Sequence, residues 1–129
     1  MLKSLRLTIL VSIIILILSL ISLSSVPKVS FKASDKIGHF LAYACLSLVS
    51  VIELAKHSRW SKETSRLLIH SLPFCIGYGI LMEVLQASPI SNRHFEIADM
   101  VANTIGAIAG SLLFLVTRKW LKARLLPKN

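Results

Sequence analysis

The chain has 129 residues, 54% of them hydrophobic, with a mean hydropathy of +0.71 and a formal net charge of +9. A basic protein binds nucleic acid through a basic face or groove, but here lysine and arginine lie between apolar runs, as membrane flanks do. Cys45 and Cys75 lie inside apolar runs and have no zinc-site spacing. The composition therefore argues against nucleic-acid binding and against a structural zinc site.

Four apolar runs predict four membrane-spanning helices. The first covers residues 7–25 and carries no charge from Leu7 to Leu23, a length that can cross a hydrocarbon core of about 30 Å. It follows a basic start, MLKSLR, as a signal peptide does, but it exceeds the roughly 7–15 apolar residues of such peptides, so we expect an uncleaved helix. The other runs cover residues 36–55, 67–87 and 97–117.

Short connections join the four runs, with no repeat, linker or low-complexity tract between them. Such connections force consecutive helices to pack antiparallel. We therefore predict an all-α fold, an integral membrane four-helix bundle with antiparallel neighbours, in which residues 1–129 form a single domain.

The basic residues predict the orientation of the bundle. Eleven lysine and arginine residues flank the side that holds both termini and the connection between the second and third runs, whereas four flank the other side. Because positive charge collects on the cytoplasmic side, both termini are expected to be cytoplasmic. Glu53 lies near the cytoplasmic end of the second run, where we expect it to pair with Lys56 or to reach the interface.

Polar residues collect at the opposite end of the last three runs. The second run begins with DKIGHF, the third ends with EVLQ, and the fourth begins with IADMVAN. Asp35 and His39, like Asp99 and Asn103, are four residues apart and share a helix face. Charged groups cost about 2.5–3.5 kcal/mol at the centre of a membrane helix, so they are expected to face inward and to mark a functional site. The candidate ligand-binding residues are Asp35, Lys36, His39, Glu83, Gln86, Arg93, Asp99 and Asn103.

The fourth run also contains a row of small residues, formed by Ala102, Gly106 and Gly110. Small residues at this spacing let another helix approach closely. We favour packing within the bundle over a homodimer seam, and a homo-oligomer is left open.

The ordered set DKIGHF, EVLQ, Arg93 and DMVANTIGAIAG covers about residues 35–115 and resembles the VanZ-like family of small bacterial membrane proteins. That family takes its name from a teicoplanin-resistance protein of the cell envelope. The resemblance implies a multi-pass protein of the bacterial cytoplasmic (inner) membrane that acts at its outer face. It implies no particular reaction, and a role in glycopeptide resistance is not required of each member.

Two functional interpretations of the polar cluster stand first. The favoured one is a site for an amphiphilic cell-envelope molecule, either a lipid-linked precursor or a lipoglycopeptide such as teicoplanin. Lys36 and Arg93 would hold its phosphate or carboxylate. The alternative is an enzyme acting on a lipid headgroup, with Glu83 or Asp99 as general base and His39 as acid or base. Because the sequence offers no activated nucleophile, binding is preferred to catalysis.

Two further interpretations remain. His39, Glu83 and Asp99, together with His94, could bind a metal ion, but they come from separate runs without a compact motif. The cluster could instead be a buried hydrogen-bond network that fixes helix register without any ligand. We predict no cofactor, no nucleic-acid partner, and the lipid bilayer as the surroundings of the helices.

Overall fold

A computed structural model describes residues 5–20, 32–58, 64–87 and 95–125. These residues form four α-helices and no strand: α1 (Arg6–Leu20), α2 (Lys32–His57), α3 (Thr64–Gln86) and α4 (Ile97–Leu125). This architecture confirms the prediction of an all-α bundle. The second, third and fourth predicted runs each lie on one of the last three helices.

Three of the helices are long and apolar enough to cross a membrane: Asp35–His57 within α2, Thr64–Gln86 and Ile97–Leu125. The chain is therefore a multi-pass membrane protein. The first predicted span, residues 7–25, corresponds to α1, an apolar helix described over 15 residues. Residues 21–25 of that prediction lie outside the described part of the chain.

Consecutive helices run antiparallel, as predicted. The start of α1 contacts the end of α2 through Thr8 and Glu53, and the start of α2 approaches the end of α3 through His39 and Glu83. Alternate helices consequently run parallel, so the starts of α2 and α4 meet at the end of the bundle where α3 finishes.

The closest helix packing joins α2 and α4. A Cβ atom built on Gly106 would lie 2.3 Å from the backbone oxygen of Phe40, and one on Gly110 would lie 2.1 Å from that of Ala44. Both distances are far below van der Waals contact, so only glycine lets the two backbones approach this closely. The small-residue row of α4 therefore faces α2 within the same chain.

Apolar side chains fill the interior in two clusters on either side of a hydroxyl layer. One cluster contains Ile15, Tyr43, Leu46, Cys75, Met82 and Ala107, and the other contains Val51, Ala55, Leu67 and Phe114. Between them, the hydroxyl of Ser47 lies 2.8 Å from that of Ser111, and Ser71 donates to the backbone oxygen of Ser47 at 3.4 Å. These buried serines join α2, α3 and α4 near the middle of the bundle.

Glu53 holds α1 against α2, so the prediction that it pairs with Lys56 or reaches the interface was wrong. Its side chain is buried, with one carboxylate oxygen accepting from Leu7 N and the other from both Thr8 N and Thr8 Oγ1, at 2.8–2.9 Å. The amides of a first helical turn have no partner within their own helix, and the helix dipole favours negative charge there. The carboxylate therefore caps α1 from a neighbouring helix instead of pairing with Lys56 or reaching the interface.

Helix α4 continues beyond the predicted end of its run at residue 117 and finishes at Leu125. Its 29 residues span about 43 Å, more than a hydrocarbon core requires. Leu121 packs on the second apolar cluster, and Arg118 donates to the hydroxyl of Thr64 at the start of α3. These contacts explain why the helix persists where the hydropathy falls.

Candidate functional site

The predicted polar residues lie together where α2 begins, α3 ends and α4 begins. Glu83, Asp99 and Asn103 are at most 5% exposed, and His39 is half-buried between them. Lys36 and Asp35 lie nearer the end of the bundle, where Asp35 is exposed. The spacing of four residues along α2 and along α4 brings these side chains to the facing sides of parallel helices.

His39 is the centre of the cluster because its ring approaches three polar side chains from two other helices. Its Nδ1 lies 3.0 Å from Asn103 Oδ1, within hydrogen-bond distance, and 3.8 Å from Glu83 Oε1. On the opposite side of the ring, Nε2 lies 3.8 Å from Asp99 Oδ2. The imidazole therefore separates two buried carboxylates, one from α3 and one from α4.

Lys36 forms the cationic edge of the site. Its ammonium lies 3.1 Å from Asp99 Oδ1 and 3.1 Å from Glu96 Oε2. The Lys36 side chain is 35% exposed, whereas that of Asp99 is 7% exposed, so the ion pair connects the buried cluster to the surface. Glu96 was not among the predicted site residues; it lies directly before α4, and its backbone oxygen accepts from Asp99 N at 3.0 Å.

One family match covers most of this architecture. The family model described as VanZ/LLP1 matches residues 5–118, which begin directly before α1 and end within α4. The chain belongs to the VanZ/LLP1 family. The match confirms the resemblance and extends it from residues 35–115 to include α1. No curated protein and no solved structure matches the chain.

Tyr43 lies beside the polar cluster of this VanZ/LLP1 protein and was not among the predicted site residues. It lies one turn below His39 on α2 and is 1% exposed. Among the residues that the structure describes, neither its hydroxyl nor the amide nitrogen of Asn103 has a hydrogen-bond partner. Gly79 of α3 packs against both, because a Cβ there would lie 3.2 Å from Tyr43 Cε1 and 3.3 Å from Asn103 Cβ. The four-residue spacing from His39 was the available signal.

Gln86 forms a hydrogen bond that points away from the centre of the polar cluster, toward α1. Its amide donates to the backbone oxygen of Ser19 at 3.2 Å and thereby connects α3 to α1. Arg93, which was predicted to hold an anionic group, and His94, a weak metal candidate, lie outside the described residues.

One group of possible metal-ligand side chains lies at the polar cluster of this VanZ/LLP1 protein. Asp35, His39 and Asp99 each place one ligand atom within 4.8 Å of the others. This group contains His39 and Asp99 of the candidates named from sequence, with Asp35 as the third residue. Nitrogen and carboxylate donors of this kind suit divalent transition ions.

An apolar groove lies on α4 beside the cluster. It has a volume of about 240 Å³ and is lined by Ile97, Met100, Val101, Thr104 and Ile105. These residues occupy the same helical turns as Asp99 and Asn103 but mostly face away from the bundle. A polar site and an apolar groove therefore share one level of the molecule.

Proposed function

We propose that the polar cluster binds the headgroup of an amphiphilic cell-envelope molecule at the outer face of the bacterial cytoplasmic membrane. The molecule would be a lipid-linked precursor or a lipoglycopeptide such as teicoplanin. The observation that carries the proposal is the pair of buried carboxylates, Glu83 and Asp99, on either side of His39 at one end of membrane-spanning helices.

The buried charge favours a ligand site over a network that only fixes helix register. Asparagine, glutamine and serine suffice for register, and the hydroxyls of Ser47 and Ser111 join α2 and α4 in that way. Carboxylates are more costly to bury, because removing a charge from water costs several kcal/mol. A network that only fixes register does not need charged groups here, whereas Glu83 and Asp99 can accept strong hydrogen bonds from a hydroxyl or amide group of a ligand.

The chemistry of the cluster matches an amphiphile whose headgroup offers hydroxyl or amide donors to Glu83 and Asp99 and an anionic group to Lys36. Lys36 is partly exposed and can pair with phosphate or carboxylate. His39, Asn103 and the Tyr43 hydroxyl offer hydrogen bonds deeper in the bundle. The groove on α4 lies at the same level and is apolar enough to hold part of an acyl chain.

The proposal requires the cluster to face outward, and a topology experiment checks this. Since eleven of the lysine and arginine residues flank the other end, the C-terminus is expected in the cytoplasm. A C-terminal fusion to green fluorescent protein should fluoresce, and a fusion to alkaline phosphatase should be inactive. The reverse pattern would place the cluster at the cytoplasmic face and contradict the proposed site.

Mass spectrometry of co-purifying lipids tests the proposed binding. The wild type, extracted in a mild detergent, is expected to carry one amphiphile enriched over the bulk membrane lipids, and Glu83→Gln is expected to lose it. The amide retains the size of the side chain and removes the charge, so the helices should still insert and pack.

A matched control separates ligand loss from general destabilisation. Glu53→Gln makes the same chemical change in a buried carboxylate at the other end of the bundle, where it caps α1. We expect this variant to retain the amphiphile. Identical bulk lipids in the wild type and in Glu83→Gln would instead favour a network that only holds the helices together.

A further inference from the structure

The hydrogen bond of His39 determines which ring nitrogen carries the proton. With Asn103 Oδ1 turned toward the ring, the amide oxygen accepts and the ring nitrogen 3.0 Å away, Nδ1, is the donor. In a neutral imidazole the proton is then on Nδ1, and Nε2 presents a lone pair.

That lone pair faces another acceptor. Nε2 lies 3.8 Å from Asp99 Oδ2, beyond hydrogen-bond distance, and the Asp99 side chain is 93% buried. Lys36 pairs with the other oxygen, Oδ1, and leaves Oδ2 directed toward the ring. Two acceptors facing each other in a buried site repel unless a proton or a metal ion lies between them, and the 3.8 Å gap is wider than a hydrogen bond to a proton would make it.

A third ligand atom completes a three-sided site. Asp35, one turn before His39 on α2, brings a carboxylate oxygen within 4.8 Å of both the imidazole and Asp99. Two ligands bound at about 2.0–2.2 Å to one metal ion are themselves separated by roughly 3–3.5 Å. His39, Asp99 and, from up to 4.8 Å, the exposed Asp35 must therefore all move inward to bind one ion.

We propose that Asp35, His39 and Asp99 bind a divalent ion of the Zn²⁺ or Mn²⁺ type, and that the ion bridges the protein to the anionic headgroup of the bound amphiphile. The bridging role rests on the proposed function, whereas the metal site does not. One imidazole and two carboxylates suit these ions, and three protein ligands leave coordination positions for a phosphate or carboxylate oxygen. Asn103 orients the imidazole through Nδ1, as partners of metal-binding histidines commonly do.

Metal binding is tested on the full chain, purified in detergent with an affinity tag that contains no histidine. After treatment with a chelator, the protein is dialysed against Zn²⁺ or Mn²⁺, and the bound metal is counted by mass spectrometry. The wild type should retain about one ion per chain. Asp35→Asn, His39→Gln and Asp99→Asn should each weaken binding by at least about 100-fold, and Glu53→Gln, which removes a carboxylate at the other end, should leave it unchanged.

Two spectroscopic readouts identify what lies beside the imidazole. With Mn²⁺ bound, electron spin-echo modulation should report one imidazole nitrogen, and that signal should vanish in His39→Gln. Nitrogen NMR of His39 in the chelated protein should show a proton on Nδ1 alone. Protons on both nitrogens, together with metal retention no greater than in Asp99→Asn, would mean that a proton fills the gap and would overturn the site.

The bridging role is tested by extracting the lipid with and without chelator. Amphiphile lost on chelation and restored by the metal supports the bridge. Amphiphile retained at full level after the metal has been removed overturns the bridge and leaves the amphiphile site intact. Metal bound by a protein that carries no enriched amphiphile supports the metal site and contradicts the proposed function.

Discussion

Replacing Gly110 by alanine is expected to lower the free energy of unfolding of the bundle by about 3 kcal/mol, the upper part of the usual cost of overpacking. The new Cβ would lie 2.1 Å from the backbone oxygen of Ala44 and 2.9 Å from its backbone carbon. These are backbone atoms of a packed helix, so α2 must move away along much of its length. The higher helix propensity of alanine, worth about 1 kcal/mol, does not offset this movement.

Gly77 provides the matched control for Gly110. It lies in the interior of α3, and a Cβ there meets nothing within 4 Å. Gly77→Ala should therefore leave stability unchanged or raise it by up to about 1 kcal/mol. Denaturant unfolding of both variants in the same detergent gives the comparison. Equal stabilities would show that α2 and α4 are not packed backbone to backbone at this point.

The glycine row illustrates how far the sequence predicts the fold. Hydropathy located the last three helices because a membrane span must be apolar over about 20 residues. The spacing of Gly106 and Gly110 indicated close packing of α4, but it could not identify α2 as the partner. Partner choice depends on the rotation of each helix about its axis, which three-dimensional packing decides.

The site was predictable to a similar degree. Charged groups are costly to expose to lipid, so their position at one end of three antiparallel runs indicated that His39, Glu83 and Asp99 would meet. In the structure, Glu83 and Asp99 each have a carboxylate oxygen within 4 Å of the His39 ring. Tyr43 was not predicted because a tyrosine within an apolar run usually indicates a side chain packed in the core. The predicted partner of Glu53 was wrong because its actual partners include backbone amides of α1, and a pattern of side chains in the sequence does not reveal such bonds.

The two buried carboxylate systems lie at different ends of the bundle, and we expect one to contribute to stability and the other to binding. At one end, Glu53 receives three hydrogen bonds that fix α1, so its charge is compensated by the fold. At the other end, Asp99 pairs with Lys36 through one oxygen and directs the other toward His39. Residues that serve binding commonly contribute less to stability than their burial suggests.

Asp99→Asn is accordingly expected to lose the bound amphiphile with little change in stability. Loss of a charged hydrogen-bond partner costs about 2–3 kcal/mol of binding, which corresponds to roughly 30- to 150-fold lower retention. Lys36 is 35% exposed and keeps its contact with Glu96 at 3.1 Å, so the substitution leaves no buried cation unpaired, and the free energy of unfolding should change by less than about 1 kcal/mol. Quantitative lipid mass spectrometry and denaturant unfolding of the same preparation measure both effects.

The relation between the two measurements decides what Asp99 does. If Asp99 binds the ligand, Asp99→Asn should retain little amphiphile and keep wild-type stability. Lys36→Gln should then also retain less amphiphile, since it removes the cation at the edge of the site. A register residue predicts the opposite result, in which Asp99→Asn unfolds more easily yet carries the amphiphile at the wild-type level. Asparagine preserves the shape of the side chain and removes only its charge. The comparison therefore shows whether the Asp99 charge, which is costly to place in a membrane, contributes to amphiphile retention or to the free energy of unfolding.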